Sequence, residues 1–213
     1  MTNYNLGRQL GRCLRSCLAQ AFPRDEYEVI VVDDCSTDFS HNILEAFGNE
    51  IKVIKLGKNV GVAAASNIGI QRSLGMYVIR VDADDYINQN LFLFMSEILT
   101  YNKDIGFVYC DLMKVAENEQ QLGKVDRSVL ENLYHHGAGV MFRKSHLEEV
   151  GLYDEKFRNA EDYDLLKRLM KSYTGFHLPL PYYRYVRHAN NMTNDQVGRL
   201  EWNKLVEEKH ATH

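Results

Sequence analysis

An α/β fold with a mostly parallel sheet flanked by helices is the architecture this sequence predicts, and three observations lead to it. Short apolar, β-branched runs recur along the chain, stripes of helical period alternate with them, and two of the runs stop abruptly at acids. These are Val31-Val32-Asp33-Asp34 and Tyr77-Val78-Ile79-Arg80-Val81-Asp82-Ala83-Asp84-Asp85. Runs of that kind suit strands buried on both faces of a parallel sheet, and open α/β sheets take their ligands at the C-terminal ends of such strands. Folding alone does not ask for three carboxylates between Asp82 and Asp85. Asp82 and Asp84 are two apart, so in an extended chain their carboxylates leave on the same side. Hard oxygen ligands of that type suit Mg²⁺ or Mn²⁺. The competing reading is a solvated acidic loop that caps the next helix.

Composition narrows the class. The chain has 213 residues, 45% hydrophobic and 25% charged, enough for one well-buried core and one domain by default. Lys+Arg 25 against Asp+Glu 29 leaves a net charge of −4 without a basic block, which argues against a nucleic-acid partner. Cys13, Cys17, Cys35 and Cys110 show no Cys-x-x-Cys spacing, so reduced thiols and a cytoplasmic location are expected. No apolar run approaches the roughly 18 residues of a membrane span. A soluble protein is therefore expected, with peripheral association at the inner face of a membrane as the most that composition allows.

The elements follow in order. Leu6, Leu10, Leu14 and Leu18, with Cys13 and Cys17 beside them, form one apolar stripe of a helix from Asn5 to Gln20, and the two cysteines are read as core rather than ligands. Tyr27 to Val32 is a buried strand, Asp38 an N-cap for a helix ending at Phe47 before Gly48, and Ile51 to Leu56 the next strand. The segment Asn59 to Ile70 enters a helix whose first turns are almost all small, which lets a ligand or a neighbouring backbone come close. The acidic strand follows, then an amphipathic helix carrying Leu91, Phe94, Met95, Ile98 and Leu99. This alternation is Rossmann-like.

Beyond it, Ile105 to Cys110 is a strand, Ala116 to Asp126 a solvent loop, and Tyr134 to Phe142 a short strand bearing His135 and His136. Ser145 to Val150 is a short helix. Ala160 to Met170 is a helix with acids in its first turn and bases in its last, an order the helix dipole favours. A Tyr- and Arg-rich extended run reaches Arg187-His188, and a terminal helix carries Leu200, Trp202, Leu205 and Val206.

Together these segments resemble the family 2 glycosyltransferases of the glycosyltransferase A-type fold, collinearly from Tyr4 to about Thr193. The matching pieces are Val31 to Asp38 for the family's nucleotide-binding loop, Asn59 to Ile70 for its small-residue helix, Asp82-Ala83-Asp84 for its metal motif, and Glu161-Asp162 for its acceptor-side acidic pair. The resemblance implies an inverting transferase that moves a sugar from a nucleotide diphosphate sugar, a UDP-sugar favoured, to a hydroxyl of a saccharide, lipid-linked or protein acceptor in polysaccharide or glycoconjugate synthesis. A nucleotide-binding half of about 1–111 and an acceptor-side half of about 112–213 would share a single domain.

It also implies roles for residues. Asp84 would be a direct ligand of Mn²⁺ or Mg²⁺, with His188 a further metal contact; Asp82 and Ala83 would lie at the ribose or the metal's water shell. Asp33, Asp34, Ser36, Asn59, Gly61 and Asn67 would line the nucleotide, Arg184 and Arg187 would meet the diphosphate, and Asp162, beside Glu161, would take the acceptor's proton. Two departures stand out: Ser66 replaces the family's usual arginine, and the chain opens at Met1-Thr2-Asn3-Tyr4-Asn5 without the usual first strand. The alternatives are a catalytically impaired nucleotide-sugar-binding relative, or a signalling receiver-like module that would leave Glu161-Asp162 unexplained.

Overall fold

The computed structural model describes residues 1–135, 137–189 and 191–211. The expected stripe makes α1 (Gly7–Leu18), which buries Leu10, Cys13, Leu14 and Cys17, and both thiols are free. The strand expected to be missing is present over two residues: β1 (Thr2–Asn3) pairs in parallel with β2 (Ile30–Asp33), which pairs in parallel with β3 (Lys52–Lys55). The correction has a simple cause, because the backbone of β2 accepts whatever extended chain lies alongside it. The Met1 ammonium donates to the Ile30 carbonyl at 3.0 Å and Val32 N–H donates to the Met1 carbonyl at 2.9 Å.

Asp38 was expected as the N-cap of α2 (Ser40–Phe47); Phe39 takes that position, and Asp38 acts from one residue before it. Its carboxylate accepts Ser40 N–H at the start of α2 and Gly7 N–H at the start of α1, each at 2.9 Å. One acid thereby satisfies two helix N-termini, where backbone donors lack partners. The small-residue segment becomes α3 (Val62–Arg72), and a Cβ on Gly69 would come within 3.3 Å of Val32. Its small residues let the helix lie close on the sheet.

The second sheet contains β4 (Tyr77–Ile79), β5 (Tyr86–Ile87), β6 (Ile105–Ala116), β7 (Gln121–Val125), β8 (Val140–Arg143) and β9 (Thr174–Arg187), in the order β4-β8-β6-β9-β5 with β7 on β6. β6 and β9 run parallel along most of their lengths, while β8, β5 and β7 are antiparallel to their neighbours. Around the sheets lie α4 (Leu91–Tyr101), α5 (Leu130–His135), α6 (Lys144–Glu149), α7 (Glu161–Met170) and α8 (Gln196–Ala211).

Two sequence expectations fail here. The stretch read as a solvent loop is a hairpin: β6 continues to Ala116 and β7 returns along it, exposed but paired. Its polarity reported exposure, which an edge strand shares with a loop. His135 ends α5 rather than lying on a strand, and His136 lies outside the described residues. On α8, Val206 is buried and Trp202 packs beside Phe157 and Ala160, whereas Leu200 and Leu205 are exposed.

Among the described residues no ladder joins β1 to β4. A cavity of about 510 Å³ lies between them, lined in part by Met1, Ile30, Tyr77, Ile79 and Met141. Unpaired strand edges cost backbone hydrogen bonds. Extending the chain ahead of Met1 with a short apolar, β-branched segment is expected to raise the melting temperature by filling this slot. An unchanged melting temperature would show that the slot does not accept a strand.

Candidate active site

The site forms where β4 ends and β9 returns. After Ile79 the chain turns tightly, with Asp85 N–H donating to the Asp82 carbonyl at 3.0 Å. Two residues of the β9 strand support this turn from beneath. Val186 N–H donates to Asp85 Oδ1 at 2.8 Å, and the Tyr183 hydroxyl accepts Asp82 N–H at 3.1 Å. Asp85 is 1% exposed, and burial, followed by the charges of Asp84 and Asp82, pushes its pKa well up. The last acid of the cluster is therefore a strut, and it leaves Asp82 and Asp84 at the rim.

Asp84 meets the end of β9. Its Oδ2 lies 2.9 Å from His188 Nε2 and 3.4 Å from Asn191 Nδ2, contacts that span 104 and 107 residues of sequence. Among the described residues Oδ1 has no partner. Asn191 also accepts His188 N–H at 2.7 Å and donates to the Val186 carbonyl at 3.0 Å, so it shapes the turn that presents the imidazole. A carboxylate with a free oxygen beside an imidazole is a donor pair that fits Mn²⁺ or Mg²⁺.

Asp82 turns the other way, toward Arg80. The guanidinium, 11% exposed, places Nη2 2.6 Å from Asp162 Oδ2, Nη1 3.2 Å from Glu161 Oε1 and Nε 3.0 Å from Asp82 Oδ1, the last an ion pair without hydrogen-bond alignment. It also lies over the Tyr153 ring at 5.4 Å. Burial alone would lower the pKa of Arg80, but Asp162, Asp82 and Glu161 more than offset it and hold the group protonated. Burial, then the charge of Asp162, pushes Glu161 up to about 7 against the pull of Arg80. Asp82 is also raised, by burial first, with Arg80 opposing. Arg80 thus ties the acidic turn to the first turn of α7. It is the main residue that the sequence reading missed, although a signal was legible: an arginine inside an apolar run, two residues before Asp82 and so on the same side of an extended chain.

The other expected residues are placed as follows. Asp34 is 3% exposed, and its oxygens accept Val60 N–H at 2.7 Å and Gly61 N–H at 2.9 Å, while Asn59 Nδ2 donates to the Asp34 carbonyl at 3.3 Å. Gly61, at φ +88°, takes a backbone conformation that favours glycine. Asp33 accepts Asn3 Nδ2 at 2.7 Å, and the Ser36 hydroxyl accepts from Asn3 Nδ2 and Asn5 N–H. These groups build the loop at the end of β2. Asn67 turns away from that loop, its amide clasping both backbone groups of Tyr153 at 2.9 and 3.0 Å. Ala83 is buried, Arg184 donates to the Pro181 carbonyl, and Arg187 holds Thr193 and Asn194.

Asp111, Asp126 and His177 form a separate group whose ligand atoms lie within 4.8 Å of one another. Lys124 Nζ already stands 2.9 Å from Asp111 Oδ2, and Arg127 N–H and His177 share Oδ1. An ammonium thus serves this cluster as its cation, which leaves the Asp84–His188 pair as the candidate metal site.

The fold is that of the A-type glycosyltransferases. Among solved structures the chain resembles the mannosyltransferase PcManGT from Pyrobaculum calidifontis, in complex with GDP-Man and Mn²⁺, at TM-score 0.80 and 19% identity over 100% of this chain and 63% of that one. It also resembles S. aureus TarS 1-349 in complex with UDP-GlcNAc, at TM-score 0.78 and 24% identity over 96% and 63%. Both likenesses concern the fold.

The model of Glycosyl transferase family 2 matches residues 1–151, and the chain belongs to that family. Curated relatives include the poly(ribitol-phosphate) beta-N-acetylglucosaminyltransferase TarS of Staphylococcus aureus, 40% identical over 89 residues, which are 40% of this chain and 16% of that protein. The hyaluronan synthase of Pasteurella multocida is 27% identical over 213 residues, 95% of this chain and 22% of the synthase. The matched stretches thus cover about a fifth or less of the length of these two relatives. Among the described residues no helix is long and apolar enough to cross a membrane.

Proposed function

We propose that this chain transfers a sugar, with inversion, from a nucleotide diphosphate sugar to an acceptor hydroxyl in polysaccharide or glycoconjugate synthesis. The observation that carries this reading is the meeting, at one end of the sheet, of Asp84 with His188 and of Arg80 with both Asp82 and Asp162. A metal-type donor pair and a carboxylate suited to proton transfer are thereby linked through one buried guanidinium. A UDP-sugar is favoured, because the TarS structure holds UDP-GlcNAc.

Asp84 and His188 would hold Mn²⁺ or Mg²⁺. When bound, the ion supplies Lewis-acid stabilisation of the departing diphosphate. Asp162 takes the proton of the acceptor hydroxyl as its oxygen bonds to the anomeric carbon, and the bond from that carbon to the diphosphate oxygen breaks on the opposite face. Arg80 keeps Asp162 Oδ2 engaged at 2.6 Å and so orients the carboxylate. Asp34 holds the Val60–Gly61 backbone in place at the nucleotide side.

The experiment is a panel of nucleotide sugars with Mn²⁺ and candidate saccharide acceptors, scored by nucleotide release. Release from one donor, lost when metal is chelated, is the expected result. A folded protein that binds a nucleotide sugar and releases nucleotide from none would instead be a binding relative without turnover.

A further inference from the structure

We infer that Gly137 is a positioning residue for the Asp162 carboxylate, an inference that rests on Asp162 being the proton acceptor proposed above. A Cβ built on Gly137 would stand 2.0 Å from Asp162 Cγ, 2.2 Å from its Cβ and 2.4 Å from Oδ2. The obstacle is the root of a short side chain, not the swinging end of a long one. Gly137 is absent from the glycines of positive φ, so the demand here is for space rather than for backbone freedom.

Neither side of this contact can yield cheaply. On the far side of the carboxylate, Arg80 Nη2 lies 2.6 Å from Oδ2, and Arg80 is itself held by Asp82, Glu161 and the face of Tyr153. On the near side, Arg127, which is 0% exposed, donates Nη1 to the Ala138 carbonyl at 2.7 Å and to the Cys110 carbonyl at 3.1 Å. Gly139, at φ +67°, is pressed against Tyr183, where a Cβ would meet the ring at 3.0 Å. Tyr183 is the residue whose hydroxyl receives Asp82 N–H. The segment 137–139 is therefore a wall pinned from behind, and the carboxylate sits between it and Arg80.

A methyl at position 137 must push Asp162 out of that slot and away from the line between acceptor and donor. Misplacement by about 1 Å can cost on the order of 10²-fold in rate. Gly137→Ala is therefore expected to lower kcat about 10²-fold while leaving the affinity for UDP with Mn²⁺ unchanged.

A double-mutant cycle distinguishes positioning from general damage. If Gly137 acts through Asp162, Gly137→Ala added to Asp162→Asn lowers kcat no further than Asp162→Asn alone, since groups that act as a unit are not additive. Losses that multiply would overturn the inference, as would wild-type kcat in Gly137→Ala. Wild-type activity in Asp162→Asn would instead remove the base assignment itself. Should Gly137→Ala be too unstable for kinetics, stability supplies the cycle. Asp162→Gly removes the opposing atoms, so Gly137→Ala should lower the melting temperature in the wild type and not in the Asp162→Gly background. Equal losses in both backgrounds would also overturn it.

Discussion

Asp162→Asn is expected to lower the turnover of sugar transfer about 10²- to 10⁴-fold, the usual worth of a positioned general base, with little change in nucleotide affinity. The substitution keeps the size of the side chain, and the amide oxygen can still face Arg80, which stands 2.6 Å from Oδ2 in the acid. What it loses is the capacity to take a proton. Asp162 also lies in the first turn of α7, where an acid favours the helix dipole by about 0.3 to 1 kcal/mol. If that were its whole role, the Asn variant would lose a little stability and keep nearly all its activity. Steady-state kinetics beside a thermal melt separate the two outcomes, and full activity in the variant would take Asp162 out of the mechanism.

Asp84→Ala is expected to abolish the joint stabilisation of the protein by UDP and Mn²⁺. Ligand at about 100 times its dissociation constant adds roughly 2.7 kcal/mol to the native state, which for a chain of this size is a rise in melting temperature of about 5 to 11 °C. UDP or Mn²⁺ alone should do much less, because Asp84 and His188 would hold the ion and the ion would supply the charge that the diphosphate needs. In the variant His188 loses the carboxylate now 2.9 Å away, and the metal-dependent part of the shift should vanish. Equal shifts with and without Mn²⁺, or an undiminished shift in Asp84→Ala, would rule out this pair as the metal site. The two substitutions should thus differ in kind, one affecting rate alone and the other binding as well.

The acidic cluster shows how far the residues of a segment reveal its role. Apolar runs ending in acids placed Asp33, Asp34, Asp82 and Asp84 at strand ends, and the structure has Asp33 and Asp34 at the end of β2 and Asp82 and Asp84 in the turn that follows β4. The same pattern could not separate the working acids from the supporting ones. Asp82, Asp84 and Asp85 are chemically alike, yet Asp85 is a buried strut on Val186 while Asp84 faces His188. The amide of Asn67, expected at the nucleotide, clasps the backbone of Tyr153, 86 residues away. Arg80 was read as one more residue of a strand and proves to be the group on which Asp82, Glu161 and Asp162 converge.

The division follows from the range of the forces. Periodicity and the polarity of strand ends are local, so the alternation of helices and strands from α1 to α4, the burial of Leu10, Cys13, Leu14 and Cys17, and the strand-end acids were legible before any fold was known, whereas β1, β7 and α5 were not. Apart from the local Arg80–Asp82 pair, the partners of these groups lie 82 to 107 residues away, in Asp162, Val186, His188 and Asn191. Nothing within a few residues of Asp84 encodes that choice. It is made when β9 runs alongside β6 and returns its end to the acidic turn, and when α7 brings its first turn onto Arg80 and against the bare backbone of Gly137.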